Sequence, residues 1–261
     1  MSSVPALDGR FEAALALAAE AGAMALRMRP PPGAATATLK AAQDWLTEAD
    51  GAVERFLSER LAALFPTDGF QGEEGGEARH GSLRWVVDPI DGTANYARGS
   101  SRFCVSLALL EDRTPLIGVL VAPALSETFA GRLGGGATLN GTPIHSADTA
   151  EMSRAIVETG WSHRRPAATF TTMLQRIIEA GAAPRSSGSG ALGLADVAAG
   201  RSDAYVELHI NLWDVAAALV LLQEAGAHVS RFLDGSGPEH GNPILACAPG
   251  IAAELTRITG I

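Results

Sequence analysis

The stretch Trp85-Val86-Val87-Asp88-Pro89-Ile90-Asp91-Gly92-Thr93-Ala94-Asn95 decides how this chain is read. An apolar run delivers Asp88 to the end of an expected strand. Pro89 lacks an N–H and is expected to stop the ladder, and Asp91-Gly92-Thr93 can turn at once into a loop or helix start. Two carboxylates are thereby set three residues apart on a rigid corner. Hard divalent cations require oxygen ligands, and backbone N–H groups at Gly92 and Thr93 can hold a phosphate. Taken alone, the same residues also read as an ordinary Asp-Gly turn with solvated acids.

Two further acidic segments flank this corner at a distance. Upstream, Gly72-Glu73-Glu74-Gly75-Gly76 places two acids in a glycine-rich loop, which by itself also reads as a flexible surface loop. Downstream, Leu212-Trp213-Asp214-Val215-Ala216 opens an apolar helix with an acid in its first turn. The helix dipole alone favours a carboxylate there.

Working outward, residues 8 to 29 repeat apolar side chains at helical spacing (Phe11, Leu15, Ala18, Met24) behind Asp8 as a cap, with Pro30 to Pro32 ending the helix. A second helix is expected over 50 to 64, with Thr47 and Asp50 spaced as a capping box. Short β-like runs at Arg84 to Asp88, Phe103 to Leu110, Leu116 to Val121 and Glu127 to Arg132 predict a largely antiparallel sheet. The pattern changes near residues 141 to 154, dividing the chain into 1–145 and 146–261. The second part alternates: strands at Ala155 to Thr159, Asp203 to Leu208, His228 to Phe232 and Pro243 to Ala248. Helices are expected at Phe170 to Glu179, Ser189 to Ala199, Trp213 to Ala225 and from Ile251.

Composition excludes several classes. With 261 residues and 47% hydrophobic content the chain can bury a sizeable core. Its longest apolar runs, Val105 to Leu110 and Leu116 to Ala122, fall short of the roughly 20 residues that span a bilayer. The start of the chain does not read as a signal peptide, so a cytoplasmic setting is expected. A net charge of −9 without a basic tract argues against nucleic acid as a partner. Cys104 and Cys247 lie in apolar runs and read as buried thiols. There is no Walker loop and no Gly-x-Ser-x-Gly elbow.

Taken in order, Glu-Glu, Asp-Pro-Ile-Asp-Gly-Thr and Trp-Asp resemble the signature of the inositol monophosphatase superfamily. Supporting segments follow the same order: Asp44-Trp45-Leu46-Thr47-Glu48-Ala49-Asp50, Gly134 to Gly141, Arg185-Ser186-Ser187-Gly188-Ser189-Gly190 and Glu207 to Asp214. The resemblance covers about residues 8 to 250, and Asp-Pro-Ile-Asp-Gly-Thr is its most specific part. It implies an α+β fold, a layered αβαβα sandwich with an antiparallel sheet in the N-terminal part and a mixed sheet in the C-terminal part. It further implies that Glu73, Asp88, the carbonyl of Ile90, Asp91 and Asp214 bind Mg2+, with Glu73 also counted as catalytic. Asp91, Gly92, Thr93 and Ala94 would contact phosphate, Thr93 and Asp50 would orient the attacking water, and Gly188, Ser189, Gly190 and Glu207 would face the alcohol. A homodimer is implied by the same analogy.

The expected activity is therefore Mg2+-dependent hydrolysis of a phosphate monoester on a small polyol-like metabolite. Inositol monophosphate comes first and histidinol phosphate second. Asn211-Leu212 stand where animal inositol monophosphatases carry His-Cys, so the alcohol is left open. A regulatory protein associated with the transcription machinery is the reading from a different class. Of the six histidines, His80, His145, His163, His228 and His240 read as surface or structural. His209, between Glu207 and Asp214, is a candidate substrate-side contact.

Overall fold

The computed structural model describes residues 4–31, 38–41 and 44–261. Two long helices come first, α1 Val4–Met28 and α2 Glu48–Leu64, with a short hairpin of β1 Thr38–Ala41 and β2 Asp44–Leu46 between them. Helix α1 starts upstream of the expected cap, because Leu7 already packs on the core beneath it. Asp8 instead sits within the helix and pairs with Arg132. Pro30 follows the helix as expected, whereas Pro32 lies outside the described residues. Thr47 and Asp50 do cap α2: the Thr47 N–H donates to Asp50 Oδ2 at 2.8 Å.

An eight-stranded sheet follows, formed by β3 Gly69–Gly72, β4 Gly76–Arg79, β5 Leu83–Asp91, β6 Cys104–Glu111, β7 Thr114–Ala122, β8 Glu127–Arg132, β9 Ala137–Leu139 and β10 Thr142–Pro143. The short helix α3 Thr93–Ala97 lies between β5 and β6. The spatial order is β10-β9-β8-β7-β6-β5-β3-β4, antiparallel except where β3 runs parallel to β5. A second sheet has the order β12-β11-β13-β15-β14, from β11 Ile156–Thr159, β12 Ala183–Arg185, β13 Ala204–Ile210, β14 His228–Val229 and β15 Asn242–Cys247. It is mixed: β11 runs parallel to β12 and β13, and β15 antiparallel to β13 and β14. Interspersed are α4 Ala167–Glu179, α5 Gly190–Ala198, α6 Leu212–Glu224, α7 Gly237–His240 and α8 Ala252–Thr259. The strand expected over His228 to Phe232 is only two residues long, because the Ser230 N–H and hydroxyl bond Leu245 while the chain turns away.

Strand alternation explains the layering. On β5, Trp85 and Val87 face a cluster with Leu17, Val53 and Leu57 of α1 and α2. Val86, between them, faces a second cluster built on Leu194, Val215 and Leu219 of α5 and α6. The other face of α5 and α6 meets Tyr205 and Ile244 of the second sheet, whose far side packs Val206 and Leu245 on Met173, Ile177 and Leu255 of α4 and α8. The order is αβαβα, as expected, with α5 and α6 sandwiched between the sheets.

Helix α1 is tied to the first sheet by a buried polar anchor. Arg10 grips Asp68 with two bonds of 2.9 and 2.8 Å, and Trp85 Nε1 donates to the same carboxylate at 3.1 Å. Asp68 is buried while Arg10 is partly exposed, so removing the carboxylate leaves Arg10 to water but strips the buried Trp85 N–H of its partner. Asp68→Ala is expected to cost about 2 kcal/mol, read as a lower urea midpoint with unchanged slope.

Candidate active site

Pro89 does not end β5. The strand runs on to Asp91, and the residues between are absorbed as a β-bulge: Asp88 pairs with Ser106 and Asp91 with Cys104, so three steps on β5 oppose two on β6. The bulge has a chemical consequence. Residues three apart on a regular strand point to opposite faces; one inserted residue restores the parity, so Asp88 and Asp91 project to the same side. Ile90 is left facing the α1/α2 core, and its N–H donates to Asp88 Oδ1 at 2.9 Å. Gly92 then turns the chain with φ of 87°, and a Cβ there would press on Arg102 O at 2.9 Å. Only glycine fits that turn without strain.

Each acid is held by a different element. Asp91 lies at the N-terminus of α5, where Gly190 N–H and Ala191 N–H both donate to it at 3.1 Å and the Ser189 hydroxyl donates as well. Asp214 sits in the first turn of α6 and accepts the Asn211 N–H at 2.9 Å. Ser106 of β6 donates to Trp213 O at 3.3 Å, fastening α6 to the strand beside β5. Carboxylate oxygens of Asp88, Asp91 and Asp214 all lie within 4.8 Å of one another. Glu73 occupies the β3–β4 turn, its N–H donating to Val87 O at 3.1 Å, and its side chain hydrogen-bonds Asp88.

Burial and mutual repulsion push the three aspartates toward the protonated form. Asp88 is raised well above the carboxylate range, first by burial and then by Glu73, Asp91 and Asp214. Burial and the charges of Asp91 and Glu207 push Asp214 up to about 8. Asp91 is raised by burial, opposed by its Ser189, Ala191 and Gly190 donors. Such a set is at ease only when neutralised, and its oxygen-only donors, with several acids on one spot, fit a hard divalent cation.

The glycine-rich acidic loop is a built turn rather than a free one. Glu54 of α2, 7% exposed, accepts the Glu74 and Gly75 N–H groups at 2.8 Å each. Sequence reasoning missed Glu54, though a polar residue one turn beyond Asp50 on the buried side of α2 was the available signal. Arg102 was missed too: it bonds Asp196 at 2.8 Å, while Asn95 Nδ2 bridges Arg102 O and Ser187 O at 2.8 Å each. These contacts bind the Gly92–Asn95 turn to the Ser187–Gly190 loop.

A cavity of about 840 Å³ is lined by Glu73, Asp91, Gly92, Thr93 and Ala94 together with Gly188, Ser189, Gly190, Glu207 and Asp214. Asp88, 1% exposed, does not itself line the cavity but keeps a carboxylate oxygen within 4.8 Å of those of Asp91 and Asp214, which do. Thr93 donates its hydroxyl to Ile90 O at 2.9 Å, with Asp50 Oδ1 3.5 Å away. Burial lifts Asp50 to about 6, against the pull of its Thr47 bonds. Ser189, expected on the alcohol side, turns its hydroxyl onto Asp91. His209 lines the cavity, and burial lowers its pKa.

The model of the inositol monophosphatase family matches residues 7–258. A Rhizobium meliloti protein named inositol-1-monophosphatase is 36% identical over 226 residues, 85% of each chain. A Xylella fastidiosa protein named Nus factor SuhB is 37% identical over 209 residues, covering 77% of this chain and 76% of that one. Among solved structures, the IMPase of Thermotoga maritima superposes with a TM-score of 0.85 at 30% identity, covering 97% of both chains. Fold, acidic cluster and whole-length match agree: this chain belongs to the inositol monophosphatase family and is a phosphoric monoester hydrolase.

Proposed function

We propose that the chain hydrolyses the phosphate monoester of a small polyol, inositol monophosphate foremost, using Mg2+. The observation that carries this reading is the convergence of Asp88, Asp91 and Asp214 beside a cavity whose wall is the Gly92–Ala94 turn. Glu73, Asp88, Asp91, Asp214 and the Ile90 carbonyl would hold the cation, which when bound neutralises phosphate charge and acidifies water. The N–H groups of the Gly92–Ala94 turn receive phosphate oxygens. Thr93 and Asp50 orient the attacking water, with Asp50 Oδ1 as the proton acceptor. Glu207 receives a hydroxyl of the alcohol. No nucleophilic side chain is required, and in-line attack follows from positioning alone.

With this reading go a homodimer and a cytoplasmic setting, and a functional division near residue 145 that leaves Asp214 and Glu207 on the second part. The test is a panel of inositol monophosphate, histidinol phosphate and fructose bisphosphate, with phosphate release followed in magnesium. Inositol monophosphate is expected to give the largest kcat/KM, and a larger value for histidinol phosphate would reverse the order.

The Nus factor name on a relative supports a second reading, association with the transcription machinery. Retention of RNA polymerase factors on immobilised Asp88→Asn protein, beside negligible phosphatase activity of the native chain, would favour that role over hydrolysis.

A further inference from the structure

Glu207 on β13 is buried against a partner two residues earlier on the same strand, hence on the same face. The Tyr205 hydroxyl donates to Glu207 Oε2 at 2.6 Å, and the two residues are 2% and 8% exposed. Glu207 Oε1 takes no hydrogen bond from a described residue, while Glu207 lines the cavity. The pair is boxed in by glycines. A Cβ at Gly160, just past β11, would overlap both Glu207 Oε2 and Tyr205 Oη; one at Gly193 of α5 would overlap the Tyr205 ring. On the adjoining parallel strand the Gly160 N–H donates to Val206 O at 3.0 Å, fixing the wall against which the pair rests. Burial also raises the tyrosine well above its ordinary value, so it stays a donor across the physiological range.

We infer that Tyr205 is a positioning residue for recognition of the leaving alcohol: by occupying Oε2 it presents Oε1 as the one oxygen of Glu207 open to substrate. Resting on the polyol phosphatase reading, this makes Glu207 a receiver of a single hydroxyl donor rather than a two-oxygen clamp on a vicinal diol. Discrimination among alcohols then depends on the direction of that one carboxylate.

The test compares native protein, Tyr205→Phe, Glu207→Gln and the double variant on inositol monophosphate and on p-nitrophenyl phosphate, whose leaving group offers no aliphatic hydroxyl. Tyr205→Phe is expected to raise KM for inositol monophosphate roughly tenfold with kcat within about threefold, the size of one lost hydrogen bond to a charged group. Loss of kcat/KM on p-nitrophenyl phosphate should be several-fold smaller. The double variant should lose no more than Glu207→Gln alone, as groups acting through one contact are non-additive. Additive losses, equal losses on both esters, or an unchanged KM would overturn the inference. Gly160→Ala, which crowds the same pair from another strand, should reproduce the KM effect if Tyr205→Phe fails to fold; an unchanged KM there would also overturn it. Native protein that cleaves p-nitrophenyl phosphate but not inositol monophosphate would instead overturn the polyol reading itself.

Discussion

Asp88→Asn will lose about a thousandfold or more of kcat in saturating magnesium, while the metal-free protein melts no lower than the native chain. The substitution is close to isosteric, and the amide oxygen can still accept the Ile90 N–H that Asp88 Oδ1 takes at 2.9 Å. What changes is charge. Asp88 is 1% exposed and is crowded by Glu73, Asp91 and Asp214, so without metal the native acid has to be held protonated above its ordinary range, a cost that the neutral amide does not carry. The same charge is what a divalent cation needs beside Asp91 and Asp214, and a thousandfold corresponds to about 4 kcal/mol of transition-state stabilisation. Phosphate release and a thermal melt in chelator check both halves. Turnover within tenfold of native would remove Asp88 from the machinery, and a large fall in melting temperature would mean that the acid serves the fold instead.

What could be read from the chain alone follows how local each feature is. The apolar runs of residues 103–110 and 116–121, bounded by turn residues, gave β6 and β7 to within a few residues, since strands buried on both faces read as short continuous apolar stretches. The three acidic segments could be grouped because their order resembles a family pattern; no spacing rule brings residue 73 and residue 214 to one place. Pro89 misled for a physical reason. A missing N–H signals the end of a ladder, but a bulge accommodates it equally well, and only pairing with Ser106 and Cys104 tells the two apart. The β3–β4 hairpin was invisible because its turn is stapled from a distance by Glu54. The bond from the Ser189 hydroxyl to Asp91 spans 98 residues, so no local pattern shows it. Tyr205 carries no motif and gains its role solely from neighbours on other elements.

Stripped of divalent ions, the protein should become less stable as pH rises from about 5 to 8, and magnesium should restore it most at the alkaline end. The sign follows from the buried acids. Asp214 is pushed up to about 8, Glu207 to about 7 and Asp50 to about 6, with Asp88 and Asp91 raised too. In the unfolded chain these groups titrate near 4. Between the two ranges the folded state holds more protons, so unfolding free energy falls with rising pH. Stability is fully present below about pH 4 on this account and is lost as pH climbs through the raised values, opposite to an ordinary salt-bridged aspartate. A bound cation replaces those protons as the neutralising charge. At a hundredfold excess over its dissociation constant it contributes about 2.7 kcal/mol, or roughly 5 to 10 °C in a chain of this size. Protons compete for the same oxygens, so the gain should shrink toward pH 5. Thermal melts at pH 5, 6, 7 and 8, with chelator and with magnesium, give the comparison. Asp214→Asn should flatten the chelator curve between pH 6 and 8 by removing one of the most strongly raised groups. A melting temperature in chelator that is level or rises with pH would mean that these acids are not crowded in solution. An equal magnesium gain at every pH would place the cation somewhere other than among them.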